Sequence, residues 1–393
     1  MAGVMFRALL TAISVVVLIP VGVSVLGAYF PNLPSIGPLA AVINTGLPWL
    51  LVTAAIASGL TGLAVVLGGN KASVLFALAL AVLLGAVGIA VRYTTFATAH
   101  GASYDLVRAI DGFPPIPEPH TEVVFATVDG VTLHAGLWLP ADAPAATPQT
   151  MPAVVFVHGG AFIGGGLGTR PDLLGAIARA GIVGIDVEYR LSPPPRWDQA
   201  PGDVLCALAW LPNAPELTMV DPERVVLVGE SAGGSLAMMA GYGAGTDQLT
   251  SSCPELGLPL VPAGVLALAP AADLQGIWHD ATVYEFNGDR FPEGYIGGPP
   301  SEFPERYEAA EPFRLLRADV PPTLILTGET DRMVRLERVT ALAEAIRAAG
   351  AQCELLVAPF AGHGFDGEPN SFGAQLAESL VPDFVYRVAP TSS

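Results

Sequence analysis

The residues most capable of chemistry in this sequence surround one serine. The apolar run 225–228 leads directly into a Gly-Glu-Ser-Ala-Gly motif at residues 229–233, centred on Ser231, and a helical pattern follows. In this strand–turn–helix context the glycines allow a sharp turn, because a side chain at either position would collide with neighbouring backbone. The turn raises the serine hydroxyl above the carboxyl edge of a sheet, at the amino terminus of a helix. The motif therefore predicts Ser231 as a nucleophile.

A serine nucleophile needs a general base and a group that orients the base. The predicted strand 323–326 leads into a loop that contains Glu329 and Asp331. The predicted strand 353–357 is followed by His363, which lies between two glycines. Serine, acid, histidine is a known chain order for a catalytic triad. We therefore predict His363 as the base and Asp331 as the orienting acid, with Glu329 as the alternative acid nearer the strand end.

A glycine-rich loop could supply the third part of such a site. The sequence His-Gly-Gly-Ala-Phe at residues 158–162 directly follows an apolar, β-branched run. The N–H groups of Gly159 and Gly160, together with that of Ala232, are predicted to form an oxyanion hole. One donor of this kind typically contributes about 2.7–4 kcal/mol to transition-state stabilisation. We interpret His158 as a support for this loop rather than as a proton donor.

From residue 121 onward, strand and helix patterns alternate, which predicts an α/β fold with a mostly parallel sheet flanked by helices. Asp129-Gly130 between the runs 122–128 and 131–139 predicts a hairpin. The further predicted strands are 153–157, 182–189, 225–228, 265–268, 323–326 and 353–357, and the predicted helices are 172–180, 203–211, the segment after Ser231, 336–349 and 372–386.

Residues 271–320 interrupt this alternation. They are rich in proline, glycine and aromatic residues, as is typical of a lid or a substrate wall, although an ordinary surface excursion has the same composition. The aromatic residues are Trp278, Tyr284, Phe286, Phe291, Tyr295 and Phe303.

The first ninety residues have a different character. Residues 1–91 contain Arg7 and Lys71 but no acidic residue. Apolar runs at about 8–30, 48–67 and 72–91 are each long enough to cross a hydrocarbon core of about 30 Å. We predict a three-helix transmembrane domain over 1–92, a proline-rich linker over 93–120 with a short helix near 103–110, and a catalytic domain over 121–393. A cleaved signal peptide for the first run and a buried helical core for all three runs are the alternatives.

The distribution of basic residues predicts how the spans are oriented in the membrane. The positive-inside rule places Arg7 and Lys71 in the cytoplasm, so three spans would carry the catalytic domain to the outside of the cell membrane. Arg92 and Arg108 count against this orientation. Small residues in the second span, namely Gly59, Gly62 and Ala64, could drive the formation of a homo-oligomer through the transmembrane helices.

Composition excludes several classes of protein. The net charge of −18 argues against a nucleic-acid partner, because phosphate binding needs clustered Lys and Arg. Only 14% of the residues are charged and 52% are hydrophobic, which argues against disorder. The three cysteines are too few for a disulfide scaffold or a cysteine-based zinc site, and at most one pair could form. We predict that all three are small buried apolar residues.

With these motifs in view, residues 121–387 resemble the α/β-hydrolase superfamily, in particular its hormone-sensitive-lipase-like and carboxylesterase branches. Ala161 departs from the former branch, in which many members carry a third glycine. The resemblance implies a serine esterase without a metal or an organic cofactor, and it implies scaffold roles for Arg190 and Asp203. The matching residues are His158-Gly159-Gly160-Ala161-Phe162, Glu188-Tyr189-Arg190-Leu191-Ser192-Pro193, Gly229-Glu230-Ser231-Ala232-Gly233-Gly234, Asp331 and His363.

The functional hypothesis is a membrane-anchored serine hydrolase that cleaves carboxylic esters through an acyl-enzyme on Ser231. The apolar spans and the aromatic insertion suggest a lipid or another apolar ester arriving near membrane lipid, although a small-molecule ester is also compatible. An acyltransferase or a peptidase could use the same triad. A non-catalytic membrane protein that uses the fold for binding or assembly is the alternative from another class.

Overall fold

The computed structural model describes residues 2–31, 33, 36–37, 41–67, 72–109, 121–143, 147–283 and 290–390. These residues form two compact units. The helical unit comprises Met1–Pro114 and Ala358–Leu376, and the sheet unit comprises Pro115–Val357 and Ala377–Ser393.

In the described part of the helical unit, three long helices follow one another: α1 (Ala2–Tyr29), α2 (Ala41–Val66) and α3 (Ala72–Ala99). Each is long and apolar enough to cross a membrane. Small side chains lie between the helices, where Ala57 and Ala79 are buried against Leu18. Large apolar side chains point outward, and this outer surface is what a lipid-facing bundle needs.

The helices extend beyond the predicted spans. α2 begins at Ala41, so Pro48 lies inside the helix rather than in its first turn. α3 continues to Ala99 instead of ending near residue 91. Arg92 and Tyr93 therefore lie within α3, because a charge and an aromatic residue at a membrane boundary mark the boundary and do not stop the helix.

The predicted short helix near 103–110 is wrong. Its described part, residues 103–109, contains turns and no helix. The Asp105 carboxylate accepts the backbone N–H groups of Val107 (2.8 Å) and Arg108 (3.2 Å). Together with the bond from Ala109 N to the Asp105 carbonyl (3.2 Å), these bonds close a single turn, and no helix continues from it within the described residues. Residues 68–71, between the second and third predicted spans, and residues 110–120 of the predicted linker lie outside the described residues.

Two of the small residues predicted to mediate self-association pack inside the bundle. Ala64 is buried with Leu10 and Ala72, and a side chain at Gly62 would lie 3.2 Å from the ring of Phe76. At Gly59, an added Cβ would meet no atom within 4 Å among the described residues. Gly62 and Ala64 therefore serve the packing of α2 within this chain.

The sheet unit is built on a mixed sheet whose central strands are parallel. Within the described residues its strands are β1 (Thr121–Val128), β2 (Val131–Trp138), β3 (Met151–Val157), β4 (Val183–Val187), β5 (Val220–Glu230), β6 (Gly264–Leu268), β7 (Thr323–Gly328) and β8 (Cys353–Ala358). The strand order is β1-β2-β4-β3-β5-β6-β7-β8. β2 pairs antiparallel with β1 and with β4, whereas β4, β3, β5, β6 and β7 pair in parallel.

Helices connect these strands, and the predicted alternation is confirmed. The described helices of this unit are α4 (Pro171–Arg179), α5 (Ala200–Trp210), α6 (Ala232–Gly243), α7 (Leu274–Val283), α8 (Arg290–Ile296), α9 (Pro304–Ala309), α10 (Leu336–Ala348) and α11 (Phe372–Val388), the last of which begins in the helical unit.

The strands form where the apolar runs predict them. Every residue of β3, β4, β6 and β7 is buried, as expected for parallel strands covered by helices on both faces. The hairpin between β1 and β2 turns at Asp129 and Gly130, both with positive φ, which is the backbone that a tight two-residue hairpin requires. Parallel strands point their carboxyl ends to one edge, so the loops that carry Gly159, Ser231 and Asp331 start from that edge.

The insertion at 271–320 is well packed where it is described. Tyr295, Ile296 and Tyr307 are buried in the main core of the sheet unit. Buried Glu311 accepts the backbone N–H groups of Asp273 (2.7 Å) and Leu274 at the start of α7. Tyr284 and Phe286 lie outside the described residues.

The prediction that all three cysteines are small buried apolar residues is wrong, and the one pair that the sequence allowed is present. Cys206 in α5 and Cys253 form a disulfide with their Cα atoms 5.1 Å apart. Ser252 donates its backbone N–H to the carbonyl of Gly202 in the first turn of α5 (3.0 Å), which brings the two cysteines together. Cys353 is the free cysteine, and burial raises the pKa of its thiol to about 11.

Candidate active site

Ser231 occupies a strained turn between β5 and α6. Its φ of 51° and ψ of −117° lie outside the regions that a non-glycine residue ordinarily adopts. Backbone bonds hold this conformation: Ser231 N donates to the carbonyl of Leu268 (2.8 Å), and the Ser231 carbonyl accepts from Ala271 N (2.9 Å). Strain of this kind persists only where the surroundings enforce it, and it is common at functional sites.

The two motif glycines are required by close backbone contact. A Cβ at Gly229 would lie 2.2 Å from the carbonyl oxygen of Gly233. A Cβ at Gly233 would lie 2.1 Å from the carbonyl oxygen of Val157 at the end of β3. The predicted reason for the glycines is therefore confirmed. α6 has no acidic residue in its first turn, so its amino terminus keeps its positive character beside Ser231.

The glycine-rich loop after β3 lies against the turn that carries Ser231. Gly229 in β5 pairs with Val157 in β3, so the loops that follow the two strands start side by side. A Cβ at Gly159 would lie 2.9 Å from the side chain of Glu230. Gly160 has a φ of 118°, and its carbonyl accepts the N–H groups of residues 163 and 164, both at 3.0 Å. The structure thus brings Gly159, Gly160, Ser231 and Ala232 to one edge of the sheet.

His158 supports this loop, in agreement with its predicted role. Its ring is buried and stacks on Tyr189, with centroids 4.5 Å apart and planes at 19°. Burial lowers the pKa of His158, which favours the neutral form of the ring. The Nδ1–H group then donates to the carbonyl of Gly159, 2.7 Å away. A second link comes from the Tyr189 hydroxyl, which donates to the His158 carbonyl (3.2 Å).

Arg190 and Asp203 hold the segment that follows β4. The Arg190 guanidinium binds the buried Asp203 carboxylate through Nε (2.9 Å) and Nη2 (2.7 Å), and Arg190 N donates to the same carboxylate. Nη2 also donates to Ser252 beside the disulfide (2.9 Å). A paired and hydrogen-bonded buried charge of this kind fixes a loop, which matches the scaffold role that the resemblance implied.

A buried charge cluster beside the nucleophile was missed by the sequence analysis. Arg170 donates from Nη1 to Glu230 (2.7 Å), the residue before Ser231, and from Nε to Asp172 (3.4 Å). Asp186 in β4 is fully buried and accepts the N–H of Gly168 (2.6 Å). Burial is the main cause that raises the pKa of Asp186 to about 7, with smaller contributions from nearby carboxylates. An acidic residue inside an otherwise apolar strand is the signal that could have revealed this cluster.

Asp331 lies in the loop that follows β7, two strands away from β5 in the sheet. It is buried, and its Oδ1 atom accepts the backbone N–H groups of Met333 and Val334, both at 2.9 Å. These two bonds fix the orientation of the carboxylate. Glu329, the alternative acid, is only partly buried.

His363 follows β8 and belongs to the part of the chain that packs in the helical unit. It is partly buried and precedes Gly364, which has a φ of 63°. The carbonyl of Gly364 accepts the N–H of Gly367 (3.0 Å). Further along, the Ser371 hydroxyl donates to the carbonyl of Phe365 (3.3 Å). The histidine thus lies on a turn-rich segment with its own internal hydrogen bonds.

The sheet order, the strained turn that carries Ser231 between β5 and α6, and the glycine-rich loop after the neighbouring strand β3 occur together. This combination defines an α/β hydrolase. Residues 154–367, more than half of the chain, match the α/β-hydrolase fold family, and the chain belongs to this family.

Each curated relative aligns with only part of this chain. Esterase LipC of Mycobacterium tuberculosis is 29% identical over 58% of this chain and 56% of its own length. Esterase LipQ of the same organism is 27% identical over 69% of this chain and 65% of its own length. Ethyl acetate hydrolase of Pseudomonas putida is 35% identical over 31% of this chain and 38% of its own length. The chain thus spans less than two thirds of each of these relatives.

Solved structures show the same fold. Esterase 2 of Thermogutta terrifontis superposes with a TM-score of 0.57 at 24% sequence identity. The superposition covers 71% of this chain and 98% of that protein.

Proposed function

We propose that this protein is a membrane-anchored serine esterase that cleaves carboxylic esters through an acyl-enzyme on Ser231. The observation that carries the proposal is the strained backbone of Ser231, held between β5 and α6 beside the loop of Gly159 and Gly160. Membership of the α/β-hydrolase family and relatives named esterases support the same activity.

In the proposed mechanism, His363 removes the proton of the Ser231 hydroxyl as its oxygen attacks the ester carbonyl carbon. The N–H groups of Gly159, Gly160 and Ala232 bind the oxyanion that forms, each contributing about 2.7–4 kcal/mol. Collapse of this intermediate breaks the bond to the alcohol, which leaves with the proton from His363. Water then attacks the acyl-enzyme with His363 as its base, and the acid is released. Asp331 holds the imidazole tautomer and stabilises its positive form.

The proposed substrate carries an apolar acyl group. In the oxyanion loop, the ring of Phe162 stacks on Tyr295 of α8, with centroids 3.9 Å apart and planes at 12°. The next residue, Ile163, leaves about half of its side-chain surface exposed. The backbone carbonyl of Tyr295 also accepts the N–H of Arg196 (3.1 Å). These contacts favour a fixed apolar wall over a mobile lid for the described part of the insertion.

The proposed location of the sheet unit is outside the cytoplasm. The apolar character of α1, α2 and α3 supports insertion into the cell membrane. The positive-inside rule then favours an external sheet unit. The disulfide between Cys206 and Cys253 supports this orientation independently, because disulfides persist in oxidising compartments.

Ester hydrolysis by the full chain in lipid nanodiscs tests the activity. We expect Ser231→Ala to lower turnover by about 10⁶-fold, since triad members act as a unit. Ser235→Ala is the matched control, because Ser235 is a buried serine one helical turn further along α6. Equal turnover of the two variants would contradict the proposal.

Assays on the same nanodisc preparation distinguish an esterase from the other activities that a catalytic triad supports. An acyltransferase would form a new ester when an acceptor alcohol is added, and a peptidase would cleave a peptide faster than an ester. A binding module without catalysis would give no turnover with any of these substrates.

A further inference from the structure

The segment that carries His363 packs against the apolar helices through a stacked pair of aromatic rings. Residues Ala358–Leu376 belong to the same compact unit as α1, α2 and α3. Phe372, at the start of α11, stacks face to face on Tyr93 of α3, with centroids 3.8 Å apart and planes at 6°. Both side chains are completely buried.

Other rings enclose this pair. Tyr104, just beyond the end of α3, is nearly perpendicular to both rings, with its centroid 5.9 Å from that of Tyr93 and 5.3 Å from that of Phe372. Phe96, one turn along α3, lies 6.5 Å from Phe372 in an edge-on arrangement. Edge-to-face and stacked arrangements of this kind are the favourable geometries for aromatic pairs.

A second contact fixes the other side of the histidine. Phe360 lies three residues before His363 and has a φ of 54°. Its ring packs edge-to-face with that of Tyr29 in α1, with centroids 5.4 Å apart, and the guanidinium of Arg92 in α3 lies over its face at 4.6 Å. An arginine over an aromatic face gains from the cation–π attraction.

Polar contacts reinforce both anchors. The Gln375 side chain accepts the backbone N–H of Asp105 (2.8 Å) and donates to the Asp105 carbonyl (3.0 Å). Arg108 donates from Nε to the side-chain oxygen of Asn370 (2.9 Å). The residues on both sides of His363 are therefore tied to α1, to α3 and to the stretch that follows α3.

We propose that Tyr93 is a positioning residue for the general base, so that the apolar helices form a working part of the hydrolase as well as its anchor. Tyr93 holds Phe372, and the pair fixes the segment from which His363 reaches its partners. The proposal rests on the proposed role of His363 as the base. A displacement of a catalytic group by about 1 Å costs on the order of 100-fold in rate, so loosening this stack lowers turnover.

The test compares Tyr93→Ala with Tyr93→Phe in the full chain reconstituted in nanodiscs, with a short, water-soluble ester as substrate. We expect Tyr93→Ala to lower kcat by about 100-fold and to leave KM within about threefold, because the base is misplaced while the ester still binds. Tyr93→Phe keeps the stacked ring and retains kcat.

A matched control loosens the bundle elsewhere. Leu18→Ala removes a buried side chain from the cluster with Ala57 and Ala79, which consists of helix residues alone. We expect this variant to keep kcat. A loss of kcat in Leu18→Ala equal to that in Tyr93→Ala would overturn the proposal, since any loosening of the helices would then have the same effect.

If Tyr93→Ala fails to insert into the membrane or to fold, a second variant tests the proposal. Gln375→Leu breaks both hydrogen bonds to Asp105 and leaves the ring stack in place, and we expect kcat to fall by about tenfold with KM unchanged. Full kcat in both Tyr93→Ala and Gln375→Leu would overturn the positioning role alone. Full kcat in Ser231→Ala and His363→Ala would instead overturn the proposed function.

Discussion

At the turn around Ser231, backbone atoms leave no room for a side chain at Gly233. An added Cβ would lie 2.1 Å from the carbonyl oxygen of Val157 and 2.3 Å from that of His158, and backbone cannot swing aside as a flexible side chain can. The loop that carries Gly159 and Gly160 begins at these carbonyls. The same contact therefore shapes both the serine turn and the oxyanion loop.

We expect Gly233→Ala to lower the free energy of unfolding by about 1–3 kcal/mol through overpacking, and to impair hydrolysis by separating the two loops. Thermal unfolding and ester turnover measure the two effects. Gly166→Ala is the control, because a Cβ there would meet nothing within 4 Å among the described residues and its φ is not positive. Equal behaviour of the two variants would contradict this account of the turn.

Asp186 gives a pH-dependent prediction. Burial raises its pKa to about 7 in the folded protein, so the folded state holds a proton that the unfolded state releases above pH 4. The free energy of unfolding should therefore fall as the pH rises from about 4 to 7, because the folded state binds more protons over this range.

Asp186→Asn removes this titration and retains an oxygen that can accept the N–H of Gly168. We expect the melting temperature of this variant to exceed that of the wild type at pH 8, and the difference to shrink as the pH falls to 5. Melting curves at the two pH values test this directly. A difference that stays constant with pH would show that the carboxyl group does not titrate between them.

Among the elements, α5 is tied to the loop before β6 by the disulfide between Cys206 and Cys253, which closes a loop with a sequence separation of 47. Cross-linking a loop of this length stabilises a protein typically by about 2–4 kcal/mol. In chemical unfolding, we expect the double variant Cys206→Ala, Cys253→Ala to have a free energy of unfolding lower by this amount. Cys353→Ala, which removes the free thiol, should change the free energy of unfolding little. Equal stability of the double variant and the wild type would argue against a disulfide in the native protein.

Elements that depend on local pattern could be predicted from the sequence. β3 and β6 follow from continuous apolar runs, and the turn at Ser231 follows from small residues between a strand and a helix. Predictions were wrong where an element depends on more than the local pattern. The continuation of α3 to Ala99 was missed because the apolar run stops at residue 91, and residues 103–109 form turns in place of the predicted helix.

In the candidate site, too, features set by local sequence could be predicted, and features set by distant contacts could not. His158 could be assigned a supporting role from its position before two glycines, and its ring bonds to Gly159 as expected. The pairing of Cys206 with Cys253 and the burial of Asp186 near Glu230 depend on residues far apart in sequence. Spacing alone does not reveal such contacts, nor does it place the segment around His363 against α3.

For the whole molecule, the proposed orientation makes a prediction about the carboxyl terminus. A chain with three spans and a cytoplasmic amino terminus ends outside the cytoplasm. We expect a periplasmic-type alkaline phosphatase fused after residue 393 to be active in bacterial cells, because it folds only where its disulfides form. A fluorescent protein that matures only in the cytoplasm should stay dark at the same position, and the reverse pattern would contradict the orientation.

The central claim is that Ser231 acts as a nucleophile activated by His363 and Asp331, and covalent labelling tests it most directly. The full chain in nanodiscs is treated with a fluorophosphonate and the modified peptide is identified by mass spectrometry. The account predicts one adduct on Ser231, absent in Ser231→Ala, retained in Ser235→Ala and formed far more slowly in His363→Ala. An adduct on another residue, or labelling of Ser231 at an unchanged rate in His363→Ala, would contradict it.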